Sequence, residues 1–374
     1  MAYLGENIKK LGFGLMRLPM KGNEVDIEQT KQMVDLFMKK GFTYFDTAYG
    51  YIDGKSEEAV KTALVDRYPR ESFQLATKMP AWAGVKTAQE ARQMFYTSLE
   101  RTGAGYFDFY LLHNLGKERT KVFDDFNIWD FVAQQKEKGL IKHYGFSFHD
   151  KADALDLLLK KHPQAEFVQL QINYADWENE SIESRKCYEV ARKHNKPIII
   201  MEPVKGGSLA DLPDNITKIF KNANPEASLA SWAIRFSASL DGLITVLSGM
   251  SNIQQVEDNT SFMENFELLN DGERKVITLV QRIMANSPQI PCTDCRYCIK
   301  GCPQGIVIPS IFVAMNNYMI YNNLQGAKRN YFWETKDKGK ASECIECGQC
   351  EAACPQQIHI INELKKAAQL LENG

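Results

Sequence analysis

The chain has 374 residues, a formal net charge of −2, 44% hydrophobic residues and 25% charged residues. These are ordinary globular values, and they exclude a disordered, collagen-like or coiled-coil chain. At roughly 150 residues per domain the length accommodates one large domain and one small one, and no long basic run gives a reason to expect nucleic acid or an anionic membrane as partner. The opening stretch MAYLGENIKKLGFGLMRLP has no signal-peptide pattern, and no apolar run is long enough to span a bilayer, so a soluble cytoplasmic protein is expected.

Short apolar runs rich in β-branched and aromatic residues recur along the chain, at 12–16, 43–46, 74–77, 108–112, 144–147, 167–171, 198–201 and 244–247. Helical patterns lie between them. In 27–39, Ile27, Met33, Val34 and Phe37 fall at helical intervals, and a second helix over 56–65 opens on a candidate capping serine, Ser56. Eight strands alternating with helices predict an α/β fold, a closed (β/α)8 TIM barrel with an outer ring of helices. The alternative, an open doubly wound sheet, is disfavoured because no G-x-G-x-x-G follows an early strand. After about residue 262 the alternation stops. Helical patterns at 270–286, 309–325 and 357–372 flank a polar stretch, 334–343, expected to be an exposed turn or loop. The domain boundary is placed near 270, giving a barrel over 1–270 and a small, mainly helical domain over 271–374.

Eight of the nine cysteines lie within 292–374. A secreted disulfide framework would distribute them through the fold, so metal ligation is the better reading. Cys292, Cys295, Cys298 and Cys302 form C-x2-C-x2-C-x3-C followed by Pro303, and Cys344, Cys347, Cys350 and Cys354 repeat the pattern before Pro355. That run is the bacterial ferredoxin pattern, whose fourth cysteine ligates the other cluster. Cys292, Cys295, Cys298 and Cys354 are therefore assigned to one 4Fe-4S cluster, and Cys344, Cys347, Cys350 and Cys302 to a second, in a ferredoxin-like domain. Zinc is the competing ligand, since four-cysteine tetrahedral sites are common, but two four-cysteine runs each closed by Cys-Pro specify more than zinc needs. Cys187, in a predicted helix, is read as an ordinary packed thiol.

Polar residues interrupt the predicted strand ends in the first half. Asp46 ends the second strand, Tyr51 follows in its loop, Lys78 ends the third and His113 the fourth. On a barrel, the carboxyl ends of the strands form the face where active sites are built. The four make chemical sense as a carbonyl-reducing site. Tyr51 would donate a proton to the carbonyl oxygen, Lys78 would lower the pKa of the phenol, Asp46 would hold Lys78 by an ion pair, and His113 would orient and polarise the carbonyl. Each residue alone also has a structural reading, as a cap, a packed ring or a satisfied core histidine.

The stretch DTAYGYIDGKSEEAVKTAL, with ATK at 76–78, YLLHN at 110–114, GLIKHYGFS at 139–147, VQLQINY at 168–174 and VLSGMSNIQQVEDN at 246–259, resembles the aldo-keto reductase family over roughly residues 4–265. The resemblance implies an eight-stranded barrel that binds NADP or NAD without a Rossmann motif, with Asp46, Tyr51, Lys78 and His113 as the catalytic tetrad. It places Gly14, Leu15 and Met16 beside the nicotinamide, Ser147 and Gln169 on its carboxamide, with Asp46 shared, and Met201 where a stacking aromatic is common. It also places Glu202, Pro203, Val204, Gly206 and Gly207 in the pyrophosphate loop. The adenosine end falls to Ser248, Gly249, Met250, Ser251 and Asn252, with Gln255, Asp258 and Asn259. Three positions depart from the family pattern: Phe148 follows Ser147 in place of a carboxamide-binding Asn, Met201 replaces the stacking ring, and Gln255 replaces an Arg that pairs with the 2′-phosphate of NADP. Lys205 is a substitute source of charge there, and Trp82 and Trp177 are candidates for lining the substrate pocket. The tail resembles the ferredoxin-like extension carried by a subset of these enzymes.

Hydride transfer moves two electrons and a 4Fe-4S cluster normally passes one. The first expectation is a nicotinamide-dependent carbonyl reductase or alcohol dehydrogenase acting on a small carbonyl or alcohol, its clusters serving structure, redox sensing or docking. The alternative is an electron-transfer reductase, fed by a redox partner such as ferredoxin, with little or no dependence on nicotinamide. A silent barrel that only scaffolds the clusters is a third.

Overall fold

The alternation of strands and helices closes on itself. The computed structural model describes residues 4–180 and 182–373, and the chain divides into two compact units, Met1–Val204 with Ala230–Asn270, and Lys205–Leu229 with Asp271–Gly374. The segment 205–229, which precedes the last barrel strand in sequence, thus belongs to the second unit.

In the first unit β1 (Leu11–Gly14), β2 (Tyr44–Asp46), β3 (Gln74–Met79), β4 (Phe107–Leu115), β5 (Ile141–Phe148), β6 (Val168–Gln171), β7 (Ile198–Met201) and β8 (Leu243–Ser248) form one closed barrel. Every pairing is parallel, and β1 closes the ring against β8. The interior is filled rather than open: Tyr44, Ala76, Phe109, Leu111, Phe167, Ile199, Ile244 and Leu247 pack together, with Leu4 and Ile8 against them. Gly145 is required by this packing, because a Cβ there would lie 2.2 Å from the Phe167 carbonyl oxygen.

The outer helices form where the sequence supplies both a cap and an apolar stripe. In Ile27–Lys39 the Asp26 side chain accepts from Gln29 N–H, and Thr30, Met33, Val34 and Phe37 are the buried positions. Ala88–Thr102 is capped by Thr87 and stopped by Gly103 at φ 62°. Two readings of the sequence are corrected. The first strand ends at Gly14, with Leu15–Arg17 turning away as a short 3-10 turn. Ser56 caps nothing: its helix starts at Lys55, and its hydroxyl donates to the Leu15 carbonyl at 2.9 Å and meets the Thr47 hydroxyl at 2.7 Å, fastening the turn after β1 to the turn after β2.

The second unit is helical, with Asp214–Ala223, Asp271–Ala285, Ile308–Tyr321, Leu324–Thr335 and Ile360–Ala367 as its longer elements. The helix expected over 309–325 is two helices. Asn322 takes a left-handed conformation (φ 54°) and the Asn323 side chain caps the next helix through Gly326 N–H, a break that asparagine tolerates better than most residues. The polar stretch 334–343 accordingly begins as a helix end, and Thr335 and Ala341 within it are buried. Among the described residues no helix is long and apolar enough to cross a membrane.

Candidate active site and cluster cavities

The strand ends gather Gly14, Asp46, Lys78, His113, Ser147, Gln169, Met201 and Ser248 at the carboxyl face of the barrel. At the centre, Lys78 Nζ donates to Asp46 Oδ1 at 2.5 Å, to the Thr47 carbonyl at 2.8 Å and to the Tyr51 hydroxyl at 3.1 Å. Asp46 and Lys78 are 3% and 1% exposed, so neither charge is tolerable without the other. Tyr51 stands in a short turn, Tyr51–Gly54, where Ile52 and Asp53 both adopt left-handed backbone (φ 52° and 54°), conformations that a surrounding structure must hold in place. His113 sits at an irregularity in β4: Leu112 pairs with Phe146 and Leu115 with Phe148, so three steps on β4 meet two on β5. That extra residue is a bulge, a device that re-aims a side chain. It turns the imidazole towards Tyr51, ring centroids 6.0 Å apart at 80°, while Asn114 (φ 59°) donates its N–H to Ser147 Oγ at 2.8 Å.

The electrostatics differ in one respect from the sequence expectation. Burial pushes the Tyr51 phenol above its ordinary value; the Lys78 charge pulls it down, and Asp46 pushes it up again, leaving a net rise. Lys78 therefore moderates the rise rather than producing a depressed pKa. Burial works against the Lys78 ammonium, yet Asp46 and Tyr51 together hold it above the usual lysine value. His113 is held well below the usual imidazole range, first by burial and then by Lys78, His149 and Arg119, so it is neutral at physiological pH. One of its ring nitrogens, Nδ1, is buried without a partner.

Among the barrel positions expected to hold a nicotinamide dinucleotide, Gln169 and Ser147 keep polar atoms that a carboxamide would complete. Gln169 Nε2 donates to Asp46 Oδ2 at 3.3 Å, and Gln169 Oε1 is buried with no donor, the environment an amide N–H from a carboxamide would complete. Ser147 Oγ accepts from Asn114 and keeps its proton free to donate. Leu15 and Met250 are buried and Met16 is half exposed. Asn259 Nδ2 donates to Ser248 Oγ at 2.7 Å, and Gln255 Oε1 accepts the Ser251 N–H at 2.7 Å, so the Gln255 amide fastens its own loop. The Asp258 carbonyl accepts from the Ser261 hydroxyl. Glu202 has left-handed backbone (φ 57°) and pairs with Arg17 at 3.3 Å, and Pro203 and Val204 follow it. Gly206 and Gly207 (φ 64° and 100°) belong to the second unit, as does Lys205, whose ammonium lies 5.5 Å from the centre of the Tyr321 ring. Trp82 borders His113, its indole N–H donating to the His113 carbonyl at 2.7 Å. Trp177 instead packs between Tyr188 and Phe236, and Phe148 is buried against Phe146.

In the second unit the cysteines sort into two crossed sets. Cys302, Cys344, Cys347 and Cys350 line one cavity, walled by Ile306, Ile308, Ile361 and Leu364. Cys292, Cys295, Cys298 and Cys354 line another, walled by Ile308, Phe312, Ile358 and Ile360. Each quartet has the four thiolates that a 4Fe-4S cluster takes as ligands. Left-handed residues punctuate the spacers, Asp294 and Arg296 in one run and Glu346 and Gly348 in the other. Turns of that kind aim backbone N–H groups inward at an anionic group.

An internal repeat governs the crossing, and the cysteine spacing alone conceals it. After each Cys-Pro-Gln a left-handed residue follows (Gly305, φ 62°; Gln357, φ 52°), then a buried isoleucine, Ile306 or Ile358, and a helix starting at Ile308 or Ile360. Each half thereby sends its fourth cysteine into the other half's cavity. Cys187 is buried, with its thiol pushed up to about 12 by burial, as expected of a packed thiol.

The sequence model of the aldo/keto reductase family matches residues 10–278, and that of a 4Fe-4S dicluster domain matches residues 291–359. The chain is 22% identical to the uncharacterized oxidoreductase YqkF of Bacillus subtilis (strain 168), across 72% of this chain and 92% of that one. It is 24% identical to an aldo-keto reductase of Mycobacterium avium (strain 104), across 71% and 87%. Among solved structures, the holo form of an aldo-keto reductase from Bacillus halodurans superposes with a TM-score of 0.59 at 22% identity, covering 74% of this chain and 94% of that one. An aldo-keto reductase from Klebsiella pneumoniae in complex with NADPH gives 0.58 at 20% identity, covering 74% and 93%.

Proposed function

The chain belongs to the aldo-keto reductase family, and from that membership we propose that it reduces an aldehyde or ketone to the alcohol, or runs the reverse, with Asp46, Tyr51, Lys78 and His113 as the working residues. The observation that carries this reading is the single Lys78 ammonium in contact with both the Asp46 carboxylate and the Tyr51 hydroxyl. A reduced nicotinamide dinucleotide, NADPH in the Klebsiella structure, would supply the hydride that reaches the carbonyl carbon.

The chain's own residues handle the oxygen. Tyr51 donates its proton to the carbonyl oxygen as negative charge gathers there, and the resulting phenolate lies 3.1 Å from the Lys78 ammonium, which stabilises it until water returns a proton. Asp46 keeps Lys78 charged and in place. Neutral His113 offers a ring N–H to the same oxygen and fixes its direction. Gln169 and Ser147 hold the carboxamide of the dinucleotide, and Gly14 lets its ring approach the end of β1. Gln255 carries no charge, so discrimination for the 2′-phosphate is weak and both NADPH and NADH are accepted. Each cysteine quartet holds one 4Fe-4S cluster, a one-electron carrier.

The two crossed four-thiolate cavities also favour a second reading, in which electrons from a ferredoxin-like donor reach the barrel through the clusters. Anaerobic titration of the cluster-loaded protein with NADPH and NADH separates the two. Carbonyl reduction that tracks nicotinamide oxidation while the cluster absorbance stays constant supports the first. Reduction that needs an external one-electron donor and proceeds without nicotinamide sinks it.

A further inference from the structure

Beside the tetrad stands a cation that no carboxylate answers. Arg119 lies in the turn between β4 and the helix Thr120–Asp125, and its guanidinium sits over the Trp82 indole, 4.6 Å from the ring centre. The indole is fixed in turn by its N–H bond to the His113 carbonyl and by its ring contact with His113, centroids 6.4 Å apart. The neighbouring charges are matched: Lys78 by Asp46, Arg17 by Glu202, and Lys117 by Asp153 at 3.4 Å. Among the described residues Arg119 pairs with no acid, and a stack on an aromatic face leaves the edge donors of a guanidinium unused.

The surroundings sharpen this. His113 is neutral, and His149 is pushed down to about 4, first by burial, with Arg119 adding to the effect. Near neutral pH, among the described residues of this rim, the Arg119 guanidinium is a positive group with no acidic partner, held over an indole that meets the His113 ring edge-on at 62°.

We propose that Arg119 is a substrate-recognition residue, and that the carbonyl compound reduced at this site carries an anionic group, a carboxylate or a phosphate ester, a few atoms from the carbonyl carbon. The guanidinium takes the anion by paired N–H bonds while Tyr51 and His113 take the carbonyl oxygen, so one short, doubly anchored substrate spans the distance along Trp82. This inference rests on the carbonyl-reducing reading of the tetrad.

The test uses the full cluster-loaded chain under anaerobic conditions with three short aldehydes: an ω-oxo acid, its methyl ester, and a phosphate ester of the same length. The charged compounds should exceed the neutral ester in kcat/KM by roughly tenfold or more, and the better of the two identifies the anion. Arg119→Met should collapse that ratio towards one, and Arg119→Lys should keep part of it. A ratio near one in the unaltered chain, or one that survives Arg119→Met, overturns the inference while leaving the carbonyl-reducing function standing. If none of the three is reduced, the function itself fails, and fluorescence titration of the indoles with butanedioate still decides the anion site. Binding that Arg119→Met abolishes supports the site, and binding that is absent or indifferent to that change overturns it.

Discussion

Asp46 and Gln169, 123 positions apart in sequence, meet at the barrel mouth, where Gln169 Nε2 donates to Asp46 Oδ2 at 3.3 Å. The same carboxylate accepts from Lys78 through its other oxygen, so one buried aspartate links the lysine that contacts Tyr51, the proposed proton donor, to the amide proposed to hold the cofactor.

Lys78→Met removes the partner of a buried carboxylate. It should lower kcat by roughly 10²- to 10⁴-fold and destabilise the fold by about 3–5 kcal/mol. Adding Asp46→Asn should restore most of the stability and none of the activity. Denaturant unfolding measured alongside steady-state rates checks both arms. Recovery of turnover in the double variant would show that the pair is structural.

Tyr51→Phe keeps the ring and deletes the hydroxyl 3.1 Å from Lys78. Carbonyl reduction should fall by about 10²-fold or more, with nicotinamide binding, followed by fluorescence, changed little. A variant with unimpaired reduction would assign the acid to another group.

The pH profile follows from the directions of the shifts. Tyr51 is raised above its usual value near 10, so the reducing direction should stay flat through neutral pH and decline only on the alkaline side. His113 lies well below its usual 6.5, so kcat/KM should show no inflection there. The same imidazoles affect stability: in the unfolded chain they take up protons near pH 6.5, whereas in the fold His149 resists until about 4. The unfolded state thus binds more protons between those values, and the melting temperature should fall as pH drops through that window.

Cofactor choice should yield to one residue. Gln255→Arg installs a fork for the 2′-phosphate, and should raise the NADPH over NADH preference by about tenfold. It also deletes the amide that holds the Ser251 N–H, which loosens the loop and offsets part of the gain; the ratio of kcat/KM values for the two nucleotides is the measurement.

The crossed ligation predicts paired losses. The unaltered protein should carry about eight irons per chain. Cys354→Ala should cost the cluster proposed for Cys292, Cys295 and Cys298, and Cys302→Ala the one proposed for Cys344, Cys347 and Cys350, each lowering iron by up to half. If Cys354→Ala instead perturbs the cluster of its own run, the ligands do not cross. Iron analysis with spectra of the reduced protein distinguishes the two.

Much of this was legible in the linear chain because it is periodic or locally spaced. Alternating apolar runs specify a barrel through burial of both strand faces, and repeated C-x2-C spacing specifies thiolate clusters through the reach of three consecutive turns. Asp46, Lys78 and His113 could be placed at strand ends for the same reason. The structure decided what depends on neighbours distant in sequence. The bulge at His113 arises from the register of β4 on β5, Ser56 serves two turns rather than a helix end, and the helix Leu324–Thr335 begins at an Asn-Asn break. The net rise of the Tyr51 pKa reflects burial that no spacing reveals, and the unanswered charge of Arg119 is visible only once every nearby acid has been placed. Local spacing records which groups can act together; desolvation and charge balance are sums over the packed surroundings, and those exist only in the folded chain.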